Sequence, residues 1–370
     1  MRKTHPRAHF ARYRQIASVL TRHGLGYLVG ILGLERFVPF HRGLLGHPRR
    51  PEPYTRPEHV RMALEDLGPA FVKLGQILST RADLLPPEYQ VELAKLQDAA
   101  PLVPVASIEV TLLAEFGRPI EQTFTTFDPT PLASASIGQA YAATLEDGTE
   151  VVVKVRRPGV VEQVERDLEI LEILAATASH RWELADQYDV VALTQEFADT
   201  LRAELDYVRE GRNAERFAEN FTGDPAVHIP RVFWETTTSQ VITLERIRGI
   251  KISDLAALDA AGLDRHSLAE RAANILLRMV FEDGFFHADP HPGNFFIEPD
   301  GRIGLIDFGM VGVVDERTLQ QLVRLLLAIT SQDADRLVDA FLDLGVARKR
   351  VNRVLLRQDL QHLITRYYDH

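Results

Sequence analysis

The chain has 370 residues, with 42 Lys and Arg against 52 Asp and Glu, a net charge of −10, and 45% hydrophobic content. This is ordinary globular usage with ample core material, so wholesale disorder is excluded and two or three structural units are expected. Cysteine is absent, which excludes disulfide staples, thiolate zinc sites, iron–sulfur clusters and a cysteine nucleophile.

The charge is unevenly spread. Residues 1–50 hold ten basic groups and one acid, Glu35, so this arm carries +9 and the rest −19. The overall acidity argues against nucleic acid as a partner, while the arm suits an anionic membrane surface. No run approaches the ~20 apolar residues of a bilayer span. The apolar stretch Leu25–Leu34 either lies in a membrane interface or packs on the protein's own helices.

Thr55-Arg56-Pro57-Glu58 reads as a capping box that opens a helix, which Gly68-Pro69 breaks. Further helices are expected over Ala70–Arg81, from Pro86-Pro87 to before Pro101, and from Pro104 to Phe116, closed by Gly117. Strand-like runs Gln139–Leu145 and Glu150–Val155 flank Asp147-Gly148, a strong hairpin signal. Helices follow at Val160–Ala178 and Val191–Ala218, then short strands at Val232–Trp234 and Gln240–Leu244. From Ser253 the pattern is mostly helical, apart from strands Phe295–Ile297 and Arg302–Ile306.

Three segments carry chemistry. Lys154 stands inside a valine run, after the small-residue loop Ala133-Ser134-Ala135-Ser136-Ile137-Gly138. Small residues let backbone N–H groups approach a phosphate. The predicted long helix carries Glu204, Asp206, Glu210 and Asn213. Asp206, Glu210 and Asn213 fall within roughly a 60° arc, and Glu204 lies off it, so Glu204 needs a helix bend or another partner. The densest segment runs from His287 through Asp289, His291 and Asn294, followed by Asp307-Phe308-Gly309. Phosphoryl transfer needs a carboxylate near the attacking hydroxyl, oxygen ligands for Mg²⁺ and a cation on the phosphates. Asp289, Asn294 with Asp307, and Lys154 supply these in kinase order. A metal-dependent hydrolase built on His287, Asp289 and His291 is the rival, and it leaves Lys154, Glu210 and Asp307 without roles.

From about residue 10 onward the sequence resembles the UbiB family of atypical kinases (aarF-domain, or ADCK-type). Lys73-Leu74-Gly75-Gln76 matches its K-x-G-Q motif, and Ala133–Gln139 its alanine-rich loop, here with Ser134 and Ser136 in place of alanines. Glu204-Leu205-Asp206 matches E-x-D, His287–Asn294 matches H-x-D-P-x-P-G-N, and Asp307–Gly309 matches D-F-G. The resemblance implies an α+β, bilobal, protein-kinase-like fold with an N-terminal helical extension. It divides the chain into a basic segment (1–55), the extension (56–118), an N-lobe (119–248) and a C-lobe (249–370).

It also implies ATP and Mg²⁺ binding with kinase or ATPase activity. Lys154 would hold phosphates and pair with Glu210, Asp289 would be the catalytic carboxylate, and Asn294 and Asp307 would hold Mg²⁺. Residues 133–137 would line the phosphates, and Glu245–Ile247 would be the hinge that meets adenine. Lys73, Gln76, Glu204 and Asp206 would regulate the site: Glu204 and Asp206 would bias it by metal or by pairing with Lys73, an exposed-side lysine within reach of Asp206 or a catalytic carboxylate. Many members support isoprenoid-quinone (ubiquinone-type) biosynthesis at a membrane, so isoprenoid lipid or quinone-pathway proteins are expected partners and the cytoplasmic face of a membrane the expected location. The alternative is a pseudokinase scaffold that binds nucleotide or lipid without phosphoryl transfer. The chain stops about 60 residues after Gly309, which reads as a shortened C-lobe with an unfinished last helix.

Overall fold

The computed structural model describes residues 6–34, 37, 55–97, 102–181, 189–345 and 352–368. Six of the ten basic groups of the arm, Arg2, Lys3, Arg36, Arg42, Arg49 and Arg50, lie outside them. The chain divides into two compact units: Met1–Ala214 with Arg231–Arg246, and Glu215–Pro230 with Ile247–His370.

The first unit opens with helices α1 (Pro6–Arg22), α2 (Gly26–Ile31), α3 (Arg56–Leu67), α4 (Pro69–Ser79), α5 (Pro87–Ala94) and α6 (Val105–Phe116). The capping box forms as the residue spacing predicts: Glu58 N–H donates to Thr55 Oγ1, and Thr55 N–H donates back to the Glu58 carboxylate at 2.7 Å. Gly117 closes α6 in the left-handed conformation, at φ 66°, where the missing Cβ removes the steric penalty. Two further helices, α7 (Val160–Arg181) and α8 (Val190–Glu204), complete a helical core with α1 to α4.

Leu25, Val29 and Leu34 are buried in that core. The apolar stretch therefore packs on the protein's own helices. Arg12 is also internal: its guanidinium donates to both Asp167 carboxylate oxygens, at 2.7 and 2.8 Å, and to Leu67 O. Arg22 lies 3.5 Å from Asp66. So these two arginines of the basic arm are engaged within the fold. Among the described residues no helix is long and apolar enough to cross a membrane.

Glu92 staples α5 to α3. It accepts from Arg61 at 2.7 Å and from Lys95 at 2.5 Å, and is itself buried. Burial pushes its pKa up, but the hydrogen bonds from Lys95 and Arg61 outweigh burial and hold it below the usual glutamate value. A depressed folded pKa adds stability above the unfolded value, and that stability is lost as pH falls through the folded one. Thermal melts should therefore show the helical block weakening below about pH 4, and Glu92→Gln should flatten that slope. An unchanged slope in Glu92→Gln would assign the acid sensitivity elsewhere.

The unit's sheet is antiparallel and runs β1 (Thr126–Phe127), β3 (Gly138–Thr144), β4 (Glu150–Arg156), β6 (Val241–Glu245), with β2 (Ala133–Ser134) also on β3. One sheet face, with Tyr141, Val151, Val153, Val155 and Val241, packs with Ile108 and Leu112 of α6. The predicted strand Val232–Trp234 reduces to a single bridge, Val232 to Leu244, before a 3₁₀ turn at Trp234–Thr236.

The predicted helix Val191–Ala218 is two helices. It ends as α8 at Glu204 and restarts as α9 (Tyr207–Asn220). Asp206 is the reason: its carboxylate accepts from Val208 N–H at 3.1 Å, as a capping group does. Leu205 stays buried in the helical core, and its carbonyl accepts from Arg156 at 2.5 Å.

The second unit holds a four-stranded sheet ordered β5 (Val227–His228), β10 (Ile303–Leu305), β9 (Phe295–Ile297), β7 (Ile250–Lys251), and a pair of β8 (Phe285–His287) with β11 (Val311–Val313). The sequence pattern yields only the β9–β10 pair of these. Helices α10 (Leu255–Ala260) and α11 (Arg265–Phe281) precede β8, and α12 (Glu316–Thr330), α13 (Ala334–Asp343) and α14 (Arg353–Tyr368) follow β11.

Candidate functional site

In the first unit, strand alternation decides which side chains share a face with Lys154. Lys154 pairs across β3 with Ala140 and across β6 with Ile242, while Val152 pairs with Ala142 and Leu244. Side chains paired across a sheet point to the same face. The Lys154 face is therefore lined on β3 by the small residues Gly138, Ala140 and Ala142. Lys154 Nζ donates to Glu210 Oε1 of α9 at 2.5 Å, and Glu210 is 4% exposed. A lysine in a valine run is thus held by a carboxylate brought from 56 residues away.

Lys73 of α4 is buried, not on an exposed side. It is 7% exposed and donates to Glu204 Oε1 at 2.7 Å. The helix break supplies the turn that Glu204 needed. Asp206, within that break, is exposed and caps α9. Gln76 donates to Leu96 O at 3.0 Å. A Cβ on Gly75 would meet Leu64 and Leu96 side chains, so this glycine admits the protein's own leucines.

At the predicted hinge, Glu245 N–H donates to Arg231 O at 2.8 Å and Arg246 N–H to Glu150 O at 3.1 Å. The Glu245 carboxylate accepts from Arg231 N–H. The chain passes from the first unit to the second between Arg246 and Ile247.

In the second unit, residues 287–294 account for every backbone N–H from Asp289 to Asn294. Asp289 N–H donates to His287 Nδ1 at 3.1 Å, His291 N–H to Asp289 O at 2.7 Å, Gly293 N–H to His291 Nδ1 at 3.1 Å and Asn294 N–H to His291 O at 2.8 Å. Pro290 and Pro292 have none to place. The loop is therefore tied internally. Asn294 Nδ2 donates to Asp289 O at 3.1 Å, which presents Oδ1 as its remaining polar atom.

His287 is 3% exposed and its ring lies among Phe217, Phe295 and Phe308. It orients the loop from within the core. Both histidines of the hydrolase reading thus use Nδ1 on local backbone. Among the described residues no group of three His, Asp or Glu side chains converges as a metal cage.

Asp307 has φ 66°, a left-handed backbone that non-glycine residues rarely adopt. Its carboxylate accepts from Gly309 N–H at 3.2 Å. Phe308 is fully buried against Phe217, which anchors the turn while Asp307 itself stays exposed. Strain of this kind gathers at functional sites. Asn294 and Asp307 offer only oxygen, the donor type that Mg²⁺ takes, so these residues fit that ion.

The description of ABC1 atypical kinase-like domains matches residues 95–341. The chain belongs to this family, and its fold is kinase-like α+β. It is 40% identical over 288 residues to the "Probable protein kinase UbiB" of Marinobacter nauticus, covering 76% of this chain and 53% of that protein. It is 38% identical over 345 residues to the protein of the same name from Azotobacter vinelandii, covering 90% and 64%. The chain thus spans little more than half the length of such relatives. Among solved structures it resembles the Rv3197–erythromycin complex from Mycobacterium tuberculosis, with TM-score 0.54, 29% identity, and coverage of 83% of this chain and 76% of that one.

Lys154→Met and Glu210→Gln should each lower stability or nucleotide affinity, and a double-mutant cycle should be non-additive by about 1 kcal/mol or more. Additive losses would show that the two residues act separately.

Proposed function

We propose that this protein is a UbiB-like atypical kinase or ATPase that uses Mg²⁺-ATP and serves isoprenoid-quinone lipid synthesis at a membrane. The observation that carries the reading is the Lys154–Glu210 pair on a sheet face of small residues, in a chain of the ABC1 family. Lys154 holds the α- and β-phosphates, and Glu210 keeps its ammonium in place. The loop Ala133–Ile137 covers the phosphates with backbone N–H groups. Ile247 meets adenine, because the N–H groups of Glu245 and Arg246 are engaged inside the first unit. Asp289 accepts the proton of the attacking hydroxyl. Asn294 and Asp307 hold the Mg²⁺, whose charge, when bound, offsets that of the phosphates.

ATP hydrolysis should require Mg²⁺ and should fall sharply in Lys154→Met. The quinone-lipid part predicts faster turnover with anionic, isoprenoid-bearing vesicles than without them. A native chain that neither binds nor hydrolyses ATP would remove the catalytic reading and leave the pseudokinase scaffold.

A second reading follows from the macrolide in the similar Mycobacterium structure: nucleotide turnover coupled to a bulky hydrophobic small molecule. Erythromycin should then change the hydrolysis rate. Unchanged rates at saturating erythromycin would discard it.

A further inference from the structure

The segment formed by β2 and the turn into β3 pairs Ala133 with Ala140 and Ser134 with Gln139. Its residues Ala133, Ser134, Ala135 and Ser136 are small, and the first and third are exposed. Side chains outside the segment add to that pairing.

Arg157, three residues after Lys154, touches the loop at three points. Its Nε donates to Ala135 O at 2.9 Å, its Nη2 to Ser134 Oγ at 2.8 Å, and its backbone N–H to Ile137 O at 2.8 Å. Inside the loop, Ala135 N–H donates to Gly138 O at 2.9 Å. Tyr207, the first residue of α9, is 4% exposed and lies under Gly138. A Cβ at position 138 would overlap the Tyr207 hydroxyl and come within 3.0 Å of Val155 O. Ile137, 5% exposed, is anchored in the helical core with Phe71 of α4 and Leu201 and Leu205 flanking Glu204. Arg156, next to Arg157, donates to Leu205 O and to Ser239 O. Two adjacent arginines at the end of the Lys154 strand thus hold the small-residue loop and the α8–α9 break.

We propose that Arg157 is a positioning residue for nucleotide, acting through the loop and without touching phosphate. A trans peptide sets its C=O and N–H on opposite sides. With Ala135 O drawn to the guanidinium, Ser136 N–H points away from Arg157, toward the side where a phosphate oxygen can accept it. The planar guanidinium fork makes two separate bonds at once, which a lysine ammonium does not reproduce in the same geometry. The proposal rests on the nucleotide reading above.

The test compares Arg157→Lys, Arg157→Gln and Ser134→Ala with the native chain. Mg²⁺-ATP affinity is read by fluorescence titration, stability by thermal melting, and loop order by hydrogen exchange at Ala135 without nucleotide. Arg157→Lys keeps the charge but not the fork. It should lose affinity about tenfold, nearly as much as Arg157→Gln, with faster exchange at Ala135 and native exchange at Val153 and Val155. Native affinity in Arg157→Lys would overturn the proposal, since charge alone would then suffice. Should both arginine variants fail to fold, Ser134→Ala decides: a loss of about threefold with faster Ala135 exchange supports the proposal, and native values overturn it. A native chain that binds no nucleotide defeats the functional reading instead, and exchange at Ala135 alone then judges the role of Arg157.

Discussion

Asp307→Asn should lower Mg²⁺-dependent ATP affinity or turnover by about 100-fold or more while leaving the fold cooperative. Residues that only support a metal ligand already cost 10- to 100-fold when changed, so a ligand itself should cost at least that. Asparagine is the informative replacement for a backbone reason. Asp307 sits at φ 66°, and asparagine tolerates that region where most residues do not. The variant can keep the turn and the bond from Gly309 N–H while losing the negative charge. Asp307→Ala would confound the result with strain of about 1–2 kcal/mol. Thermal melting and a Mg²⁺ titration of ATP hydrolysis give both readouts. Native hydrolysis in Asp307→Asn would show that this residue does not hold the metal.

Lys73→Met should destabilise the first unit by about 3 kcal/mol, because it takes the ammonium from a Glu204 carboxylate that is mostly withdrawn from water. Burial decides the size. The Lys73 and Glu204 side chains are only 8% and 16% exposed, unlike surface pairs, whose median contribution is ~0–1 kcal/mol. Replacing both together, Lys73→Met with Glu204→Leu, should recover much of the loss, since a well-packed apolar pair of similar volume is often neutral. Denaturant melts of the three variants check this. A single-variant loss below about 1 kcal/mol would mean that water screens the pair.

Many element boundaries follow directly from local residues. The Thr55–Glu58 box, Pro87 as first helical residue, Gly117 as a left-handed cap and Asp147-Gly148 as a hairpin turn all act over four residues or fewer. Neighbouring atoms suffice to determine such features, so they read correctly from the chain. The α8–α9 break was harder. Asp206 is a good capping residue, but the helical pattern on both sides of it continues without interruption.

The small strands of the second unit were not legible, because β5, β7, β8 and β11 are two or three residues long and exist only by pairing with distant partners. The candidate site divides the same way. The residue types at Lys154, Glu210, Asp289, Asn294 and Asp307 and their order along the chain are properties of the sequence. Which carboxylate meets which lysine is a property of the fold. Lys73 and Glu204 are 131 residues apart, and a period along one helix cannot say that α8 turns Glu204 toward α4 while Asp206 remains in solvent. The contacts of Arg157 and Tyr207 are not written in the local sequence for the same reason. An arginine before Pro158-Gly159 looks like a strand end, and only the tertiary arrangement brings its guanidinium under the loop. Short-range sterics and capping determine local structure from a few adjacent residues. Burial and ion pairing depend on the whole packed core, so they are decided only once the chain has folded.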